Sequence, residues 1–292
     1  MPELPEVETV RRSLAHLVEG RTMREVSVGD SYVLRGQPVE TFRSGLEHQT
    51  IRAARRHGKL LYFPLDDRCL CVHLGMTGQL TARLPSRQDT PFQRHQKTGL
   101  QRTLQHAPDK HTHISITLDD DTVLHYRDVR KFGRFFWIPA QTGEQVVKHF
   151  KLGVDPLTPD FTLSYLGEGL KNRRVAVKAA LLDQKFLAGL GNIYVDEALY
   201  LSGIRPGRGA FRVRGAKLRG LHQAIIEVLN QGIQAGGTTL RDFVNGQGES
   251  GYNQEGLQVY GRYGEPCLQC GGLLKRGSYG GRTTSWCPRC QS

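Results

Sequence analysis

Two short motifs, Cys267-Leu268-Gln269-Cys270 and Cys287-Pro288-Arg289-Cys290, decide the fold of the last part of the chain. Four thiolates in a C-x2-C…C-x2-C arrangement are typical of a closed tetrahedral zinc site. A hairpin of this size buries too little apolar surface to fold without metal. We therefore predict a zinc finger over 266–292 that binds one structural, non-catalytic Zn²⁺ ion through Cys267, Cys270, Cys287 and Cys290.

The segment between these motifs is basic, which indicates contact with DNA. Residues 266–292 contain four Lys or Arg and no acid, and Arg282 follows Gly280-Gly281 at the predicted hairpin tip. A guanidinium at such a tip can enter a groove of DNA. The whole chain has the same bias, with a net charge of +12 from 40 Lys and Arg against 28 Asp and Glu. A polyanionic partner such as nucleic acid is therefore favoured.

The sequence also carries expectations about location. No apolar run approaches the length of a membrane span, and Met1-Pro2-Glu3 does not begin a signal peptide. We expect a cytoplasmic protein, associated with the nucleoid through DNA, whose cysteines are reduced or metal-bound. It is expected to act as a monomer, without a membrane or an obligate protein partner.

The first half of the chain predicts one helix followed by strands. Val7, Val10 and Leu14 recur at three- and four-residue steps, so we predict a helix over 5–18 with Pro5 in its first turn. Short strands at roughly ten-residue spacing then indicate a β-sandwich or barrel. These strands are Thr22–Val28, Thr50–Arg56, Leu60–Pro64, Cys69–Leu74, Ile114–Leu118, Val123–Tyr126 and Arg134–Ile138.

A polar stretch over 83–113 reads as a long mobile loop. His111 and His113 lack neighbours with the spacing of a metal site, so both are expected at the surface.

The second half turns helical after a linker that contains Pro156 and Pro159. Helices are predicted over 162–171, 175–184 and 216–235. Before another helix, Gly189-Leu190-Gly191-Asn192 exposes backbone N–H groups at the positive end of the helix dipole, which favours a phosphate site. This is a helix–turn–helix-like arrangement. The glycine-rich stretch that follows is expected to be a flexible, functional loop.

The N-terminus, Met1-Pro2-Glu3-Leu4-Pro5-Glu6, carries candidate chemistry. Removal of Met1 makes Pro2 a terminal secondary amine, and a terminal amine titrates at about 7.7–8.0, so part of it is unprotonated near neutral pH. A nearby carboxylate, Glu3 or Glu6, can move protons for such a nucleophile. Taken alone, the stretch also fits an ordinary helix start.

Three further turns suggest contacts with DNA. Arg55-Arg56-His57-Gly58-Lys59 places basic groups at a glycine turn, which suits a phosphate but also a solvated loop. Met76 lies between two glycines, as an apolar wedge would. Arg130 and Phe132 fall on one face of an extended segment and suit a base edge and a base face, although a solvated edge strand gives the same pattern.

Together these motifs resemble the formamidopyrimidine-DNA glycosylase family, and the resemblance runs from residue 2 to 290. It is carried by Pro2-Glu3-Leu4-Pro5-Glu6-Val7-Glu8, Lys59, His73-Leu74-Gly75-Met76, Arg130-Lys131-Phe132-Gly133, Gly189-Leu190-Gly191-Asn192-Ile193-Tyr194 and the finger with Arg282. One departure is Asp128-Val129-Arg130 in place of the usual Asp-Pro-Arg, which keeps Arg130.

The resemblance implies a bifunctional enzyme that removes oxidised purines, such as 8-oxoguanine, from duplex DNA. Pro2 would form a Schiff base at C1′, Glu3 would handle protons, and β,δ-elimination would cut the strand. Glu6 would support this site. Catalytic contacts with the phosphates are implied for Lys59 and Arg282. The implied DNA contacts are His73, Met76, Arg130, Phe132, Lys178, Asn192 and Arg282.

The implied architecture is an α+β multidomain protein. We expect an N-terminal catalytic β-sandwich with flanking helices over 1–155 and a helix–two-turn–helix domain over 156–235. A flexible lesion-recognition loop and connector over 236–265 would lead to the zinc finger over 266–292. Two alternatives stay open: an endonuclease VIII-like glycosylase for oxidised pyrimidines, and a non-catalytic zinc-dependent DNA-binding protein.

Overall fold

The computed structural model describes residues 1–85 and 108–292, together with the backbone of β6 (Gln93–Arg94) and β7 (Gln101–Arg102). Much of the loop expected over 83–113 therefore lies outside the described residues. The chain divides into two compact units. The first comprises 1–150 and 235–254, and the second comprises 151–234 and 255–292. Of the helices in the described part, none is long and apolar enough to cross a membrane.

The first unit contains two four-stranded antiparallel sheets that share one apolar core, so the predicted β-sandwich is confirmed. One sheet has the order β1 (Met23–Val28), β8 (Thr112–Leu118), β9 (Val123–Asp128), β5 (Gly78–Arg83). The other has the order β10 (Arg134–Ile138), β4 (Cys69–His73), β3 (Leu60–Pro64), β2 (Arg55–His57).

Helix α1 (Leu4–Val18) confirms the helix expected over 5–18. Its apolar face, which includes Val7, Val10 and Leu14, is fully buried and packs against β2, β3 and β5. The chain leaves the helix at Gly20, whose φ of +79° favours glycine. The sandwich core thus fixes the helix that carries the candidate nucleophile.

Several elements differ from the expectation. The strand predicted over Thr50–Arg56 is reduced to β2, with only an isolated bridge between Thr22 and Thr50. Strand β5 and the helices α2 (Val39–Leu46) and α3 (Gly143–Phe150) were not predicted.

His113 is not at the surface. It is only 2% exposed, and its Nε2 lies 2.8 Å from the backbone oxygen of Asp128. The expectation for His113 was therefore wrong, because β8 turns this side chain toward a polar partner in β9.

The second unit is helical and ends in a two-stranded hairpin. Its helices are α4 (Leu163–Lys171), α5 (Val177–Leu181), α6 (Asn192–Leu201) and α7 (Gly215–Gln234), and the hairpin pairs β11 (Lys275–Tyr279) with β12 (Arg282–Trp286). Helix α6 packs against α7 and against β12. Gly232 allows the close approach of α7, since a Cβ there would lie 2.5 Å from the hydroxyl of Tyr194. The two helices and their turns confirm the helix–two-turn–helix arrangement.

Candidate active site and nucleic-acid interface

The N-terminus of α1 places Pro2, Glu3 and Glu6 together in a buried environment. Pro2 is buried, and Glu3 and Glu6 are 3% and 1% exposed. The Glu3 backbone N–H donates to Oε2 of Glu6 at 2.8 Å, which satisfies a donor at the helix start. A buried carboxylate is costly unless it accepts hydrogen bonds. The start of the helix is thus a buried, hydrogen-bonded site rather than a frayed end.

The segment 235–254 covers this site within the same unit. The Thr238 backbone N–H donates to the second oxygen of Glu6, Oε1, at 2.7 Å. The Gly246 N–H donates to the Ser13 hydroxyl at 2.7 Å, and Phe243 joins the sandwich core. The part of the expected flexible loop that lies in this unit is therefore held to α1 by hydrogen bonds and apolar packing.

Glu8 ties α1 to the turn that carries Lys59. Its carboxylate pairs with Arg11 at 2.8 Å, Arg12 at 2.7 Å and Arg56 at 3.1 Å. Burial raises the pKa of Glu8, but hydrogen bonds from Arg11 and Arg12 and the charge of Arg56 outweigh it and lower the pKa to about 2. Arg56 also donates to the Gly58 carbonyl at 3.1 Å, next to Lys59. Sequence reasoning gave Glu8 no role, because one of its three cations, Arg56, is 48 residues away and reaches it only in the fold.

His73 and Lys59 lie at the same end of the strands of the second sheet, His73 at the end of β4 and Lys59 just before β3. Across the second sheet, His73 is in register with Leu60, the residue after Lys59, and with Arg134. Burial, followed by the charges of Lys59 and Arg134, lowers the pKa of His73 to about 4. Its Nδ1 lies 3.1 Å from the Gly75 N–H and accepts a hydrogen bond from it. The neutral ring then carries its proton on Nε2, where it can donate to a phosphate oxygen.

The loops that carry Met76, Arg130 and Phe132 meet at the same end of the second sheet, after β4 and before β10. Met76 is 36% exposed and Phe132 is 46% exposed, so each loop presents a large apolar side chain to solvent. The Arg130 guanidinium lies 4.6 Å from the centre of the Phe132 ring. Gly75, at φ +71°, lets the loops touch, because a Cβ there would lie 2.4 Å from the Gly133 nitrogen. The structure therefore brings the three candidate wedge residues into one exposed cluster.

Asp128 holds the two loops together and was missed at the sequence level. It is fully buried, and its Oδ1 accepts from the Thr77 hydroxyl at 2.5 Å and the Arg130 N–H at 3.2 Å. Its Oδ2 accepts from the Gly133 N–H at 2.8 Å and the Tyr126 hydroxyl at 3.0 Å. The available signal was a carboxylate at a strand end, which more often marks a solvated turn.

In the second unit, Asn192 and Arg282 lie close together. Asn192 is the first residue of α6, after Gly189 with its φ of +117°. Its Nδ2 donates at 2.9 Å to the carbonyl of Thr283, the residue after Arg282. Gly280 and Gly281 form a two-residue hairpin turn with φ of +61° and +69°, which leaves Arg282 exposed beside it. A helix N-terminus and a guanidinium therefore share one surface, as a phosphate site requires.

Lys178 does not lie at a surface. It is 0% exposed, and its Nζ donates to Oδ1 of Asp196 and the Thr284 hydroxyl, both at 2.6 Å, and to the Thr283 carbonyl at 3.2 Å. The ammonium donates to three protein oxygens in this structure, which holds no DNA, and the expected DNA contact stays a prediction. Lys178 anchors β12 to α6 beside Asn192 and Arg282.

The four cysteines of the finger fit one zinc ion. Their sulfur atoms all lie within 4.8 Å of one another, with Cys267–Cys290 at 3.9 Å and Cys270–Cys287 at 3.5 Å. Tetrahedral ligands with Zn–S bonds of about 2.3 Å are separated by about 3.8 Å, so the cluster has the required size. Tyr200 on α6 lies 3.3 Å from the Cys267 sulfur, which ties the metal site to the helix.

Three segments of the chain match models of known domain families. Residues 1–135 match the formamidopyrimidine-DNA glycosylase N-terminal domain, residues 152–244 match its H2TH domain, and residues 264–292 match the zinc finger found in FPG and IleRS. The chain belongs to the formamidopyrimidine-DNA glycosylase family. The sequence-level resemblance to this family is confirmed, and with it the four-cysteine zinc site.

Family members of known name and structure match the chain along its full length. The formamidopyrimidine-DNA glycosylase of Halalkalibacterium halodurans is 42% identical over 292 residues, covering 100% of both chains. A Lactococcus lactis Fpg structure with DNA containing an abasic site has a TM-score of 0.84 at 34% identity, covering 99% of each chain. A mutant of the same Fpg with DNA containing Fapy-dG has a TM-score of 0.85 at 34% identity and 99% coverage of each.

Proposed function

We propose that this chain excises oxidised purines from duplex DNA with Pro2 as the nucleophile and then nicks the strand. As a member of its family, the chain is a DNA glycosylase of base-excision repair with lyase activity at abasic sites. The observation that carries the residue-level proposal is the buried start of α1. There, Pro2 and Glu3 are fixed beside Glu6, and both oxygens of Glu6 accept backbone hydrogen bonds.

The chemistry begins with an amine that is partly unprotonated near neutral pH. Removal of Met1 frees the Pro2 nitrogen as a terminal amine. Terminal amines titrate at about 7.7–8.0, so a reactive fraction is present near neutral pH without a separate activating base. The nitrogen attacks C1′ as the bond to the damaged base breaks, and opening of the sugar gives a Schiff base. Glu3 moves protons at the sugar ring, and β- then δ-elimination release the two phosphates.

Access to C1′ requires the damaged nucleotide to leave the stack, at a cost of a few kcal/mol. Met76, Arg130 and Phe132 are proposed to fill the space it leaves, with Arg130 facing the orphaned base. Their joint exposure on one pair of loops supports this role. In the first unit, Lys59 and His73 are proposed to hold phosphates. Their position at the same end of neighbouring strands of the second sheet supports this.

In the second unit, Asn192 and Arg282 are proposed to hold phosphates on the surface that they share. The zinc ion, when bound, stabilises the finger that presents Arg282 and takes no part in a chemical step. The protein is proposed to bind damaged DNA as a monomer at the nucleoid.

The closest rival function is excision of oxidised pyrimidines by the same nucleophile. Leu4, where the endonuclease VIII type tends to carry Gly, and the wedge residues Met76, Arg130 and Phe132 favour purines. Excision of 8-oxoguanine opposite cytosine is compared with excision of thymine glycol under single-turnover conditions. Faster removal of thymine glycol would reverse the substrate assignment but leave the nucleophile in place.

Borohydride trapping on lesion-containing duplex tests the mechanism. The native N-terminus is expected to give a covalent protein–DNA adduct. The adduct should vanish in a form that retains Met1, because the Pro2 nitrogen is then part of an amide. It should fall strongly in Pro2→Gly, because a primary terminal amine replaces the secondary amine of proline. Arg24→Gln, an exposed change in β1, is the matched control and should trap normally. If native protein binds the duplex but gives no adduct, the chain is a non-catalytic DNA-binding protein.

A further inference from the structure

A cluster of one tyrosine and two arginines lies beside the wedge loops and has no part in the function above. Tyr32 is 55% exposed on a short 3-10 turn, whereas its neighbours Val33 and Leu34 are fully buried. The ring therefore faces outward because the rest of the turn is anchored in the core. A large aromatic side chain held at the surface in this way is available for a partner.

Two guanidinium groups lie against this ring. The Arg35 guanidinium carbon is 5.5 Å from the ring centre, and that of Arg134 is 5.1 Å away. Both distances are within the range of cation–π contact. Arg35 has φ +51°, a conformation uncommon for residues other than glycine, and it is exposed. The turn thus accepts a strained backbone where it places a cation over the tyrosine.

Arg134 is largely buried and keeps one donor that no described residue accepts. It is 7% exposed, and its Nη1 donates to the carbonyls of Lys131 and Gly133. Its Nε is buried and has no hydrogen-bond partner among the described residues. Burial, and then the charge of Arg35, lowers the pKa of Arg134, and the charge of Asp128 offsets this only in part. An incoming anion relieves this repulsion.

The cluster is continuous with the wedge. Lys131, between Arg130 and Phe132, pairs at 2.6 Å with Asp30, whose carboxylate also accepts from the Tyr32 N–H at 2.9 Å. Arg134 directly follows the wedge loop and is in register with His73. A duplex entered by Arg130 and Phe132 therefore passes this cluster. Because Arg130 is proposed to face the orphaned base, the strand next to the loop is the undamaged one.

We propose that Tyr32, Arg35 and Arg134 form a phosphate-binding platform for the DNA strand opposite the lesion. The proposal rests on the proposed function for the path of the duplex. The two guanidinium groups supply the positive charge, and the Tyr32 ring holds them at a fixed separation. The platform grips the undamaged backbone while the wedge occupies the gap, which keeps the orphaned base in place during excision.

The test measures binding to a duplex with a stable abasic-site analogue, so that no turnover is needed. Arg35→Gln is expected to weaken binding about 5- to 10-fold at low salt and to reduce the slope of log affinity against log salt by about 0.9, one phosphate contact. Tyr32→Ala should lose a similar amount and Tyr32→Phe little. The charge-matched control is Arg24→Gln in β1, where Arg24 pairs with Asp121 in the turn between β8 and β9, and it should keep the native slope.

Single neutral methylphosphonate linkages, moved along each strand in turn, locate the contact. In the native protein, one position on the undamaged strand should weaken binding, and Arg35→Gln should lose sensitivity at that same position. An unchanged salt slope in Arg35→Gln, or a lost position that lies only on the lesion strand, would overturn the proposal. Failure of borohydride trapping with normal binding would instead remove the proposed chemistry and leave the platform result intact.

Discussion

Replacing Asp128 with asparagine tests the carboxylate that holds together the loops of Met76, Arg130 and Phe132. Each carboxylate oxygen accepts one hydroxyl and one backbone N–H: Thr77 and Arg130 on Oδ1, Tyr126 and Gly133 on Oδ2. In asparagine, one of these oxygens becomes an NH₂ group. A hydroxyl facing it can rotate and accept, but a backbone N–H cannot. With the NH₂ group at the Oδ2 position, the buried Gly133 N–H loses its acceptor. With the NH₂ group at the Oδ1 position, the Arg130 N–H keeps a second acceptor, the Thr77 hydroxyl at 3.2 Å, so the amide takes this orientation.

The magnitude follows from this geometry. The variant then loses mainly the additional strength that a charged acceptor gives to these hydrogen bonds, so the total is about 2 kcal/mol. At an unfolding entropy of about 2.1 cal/mol/K per residue, that loss lowers Tm by roughly 3–6 °C. Because the carboxylate positions both wedge loops, excision from duplex DNA should fall by about 10- to 100-fold.

Thermal unfolding and single-turnover excision of 8-oxoguanine measure the two effects. Cleavage of a single-stranded abasic substrate is measured alongside, since it needs no wedge, and it should fall less than duplex excision. Asp66→Asn, in a partly exposed pair with Arg52, is the control and should cost under about 1 kcal/mol. This role of Asp128 is refuted if Asp128→Asn and Asp66→Asn lower Tm equally, or if the duplex and single-stranded activities fall equally.

Two further predictions concern buried charge. The Glu8 pKa of about 2, against 4.5 for the free side chain, means that its contribution to stability is complete above pH 4.5 and is lost as pH falls to about 2. In urea unfolding, Glu8→Gln should cost roughly 2 kcal/mol at pH 7, after allowance for solvent screening, and almost nothing at pH 2; an equal cost at both would contradict the assignment. Lys178→Met leaves Asp196 buried without its counter-ion and should cost roughly 3–5 kcal/mol. The double variant Lys178→Met/Asp196→Leu should recover much of that loss by calorimetry, and no recovery would mean that the pair is not what holds β12.

The elements with regular periodicity were predictable from the sequence. Helix α1 and most strands of the sandwich followed from apolar spacing, since each buries apolar residues that recur at regular steps along the sequence. The finger followed from cysteine spacing, because zinc fixes both ligand type and distance. Pro2 and Glu3 were identified as candidates from their position at the start of the chain, and the structure adds that both are buried.

The missed elements depend on partners far along the chain. Strand β5 opens with Gly78 and a buried Gln79, whose amide donates to the Asp242 carbonyl 163 residues away. Helix α2 contains Gly45, which has a low helix propensity. It is required by packing, because a Cβ there would lie 2.4 Å from the Trp137 ring. Local patterns show neither reason.

The candidate site shows the same limit. The DNA contact of Lys178 was implied by the family resemblance, and the burial of its side chain depends on Thr284, 106 residues later. Asp128 and Glu8 escaped notice for a similar reason. Their donors are common residue types that acquire significance only when folding brings them around one carboxylate.

The discontinuity of the first unit has a consequence during protein synthesis. Glu6 receives its hydrogen bond from Thr238, which is 232 residues further along the chain. At about 5–20 residues per second, a ribosome needs roughly 10–50 seconds to translate the distance between them. Until then, the helix that carries Pro2 is made but its covering segment is not. A nascent chain therefore holds the proposed Pro2 nucleophile in an unfinished setting until the helices of the second unit and the covering segment have been translated.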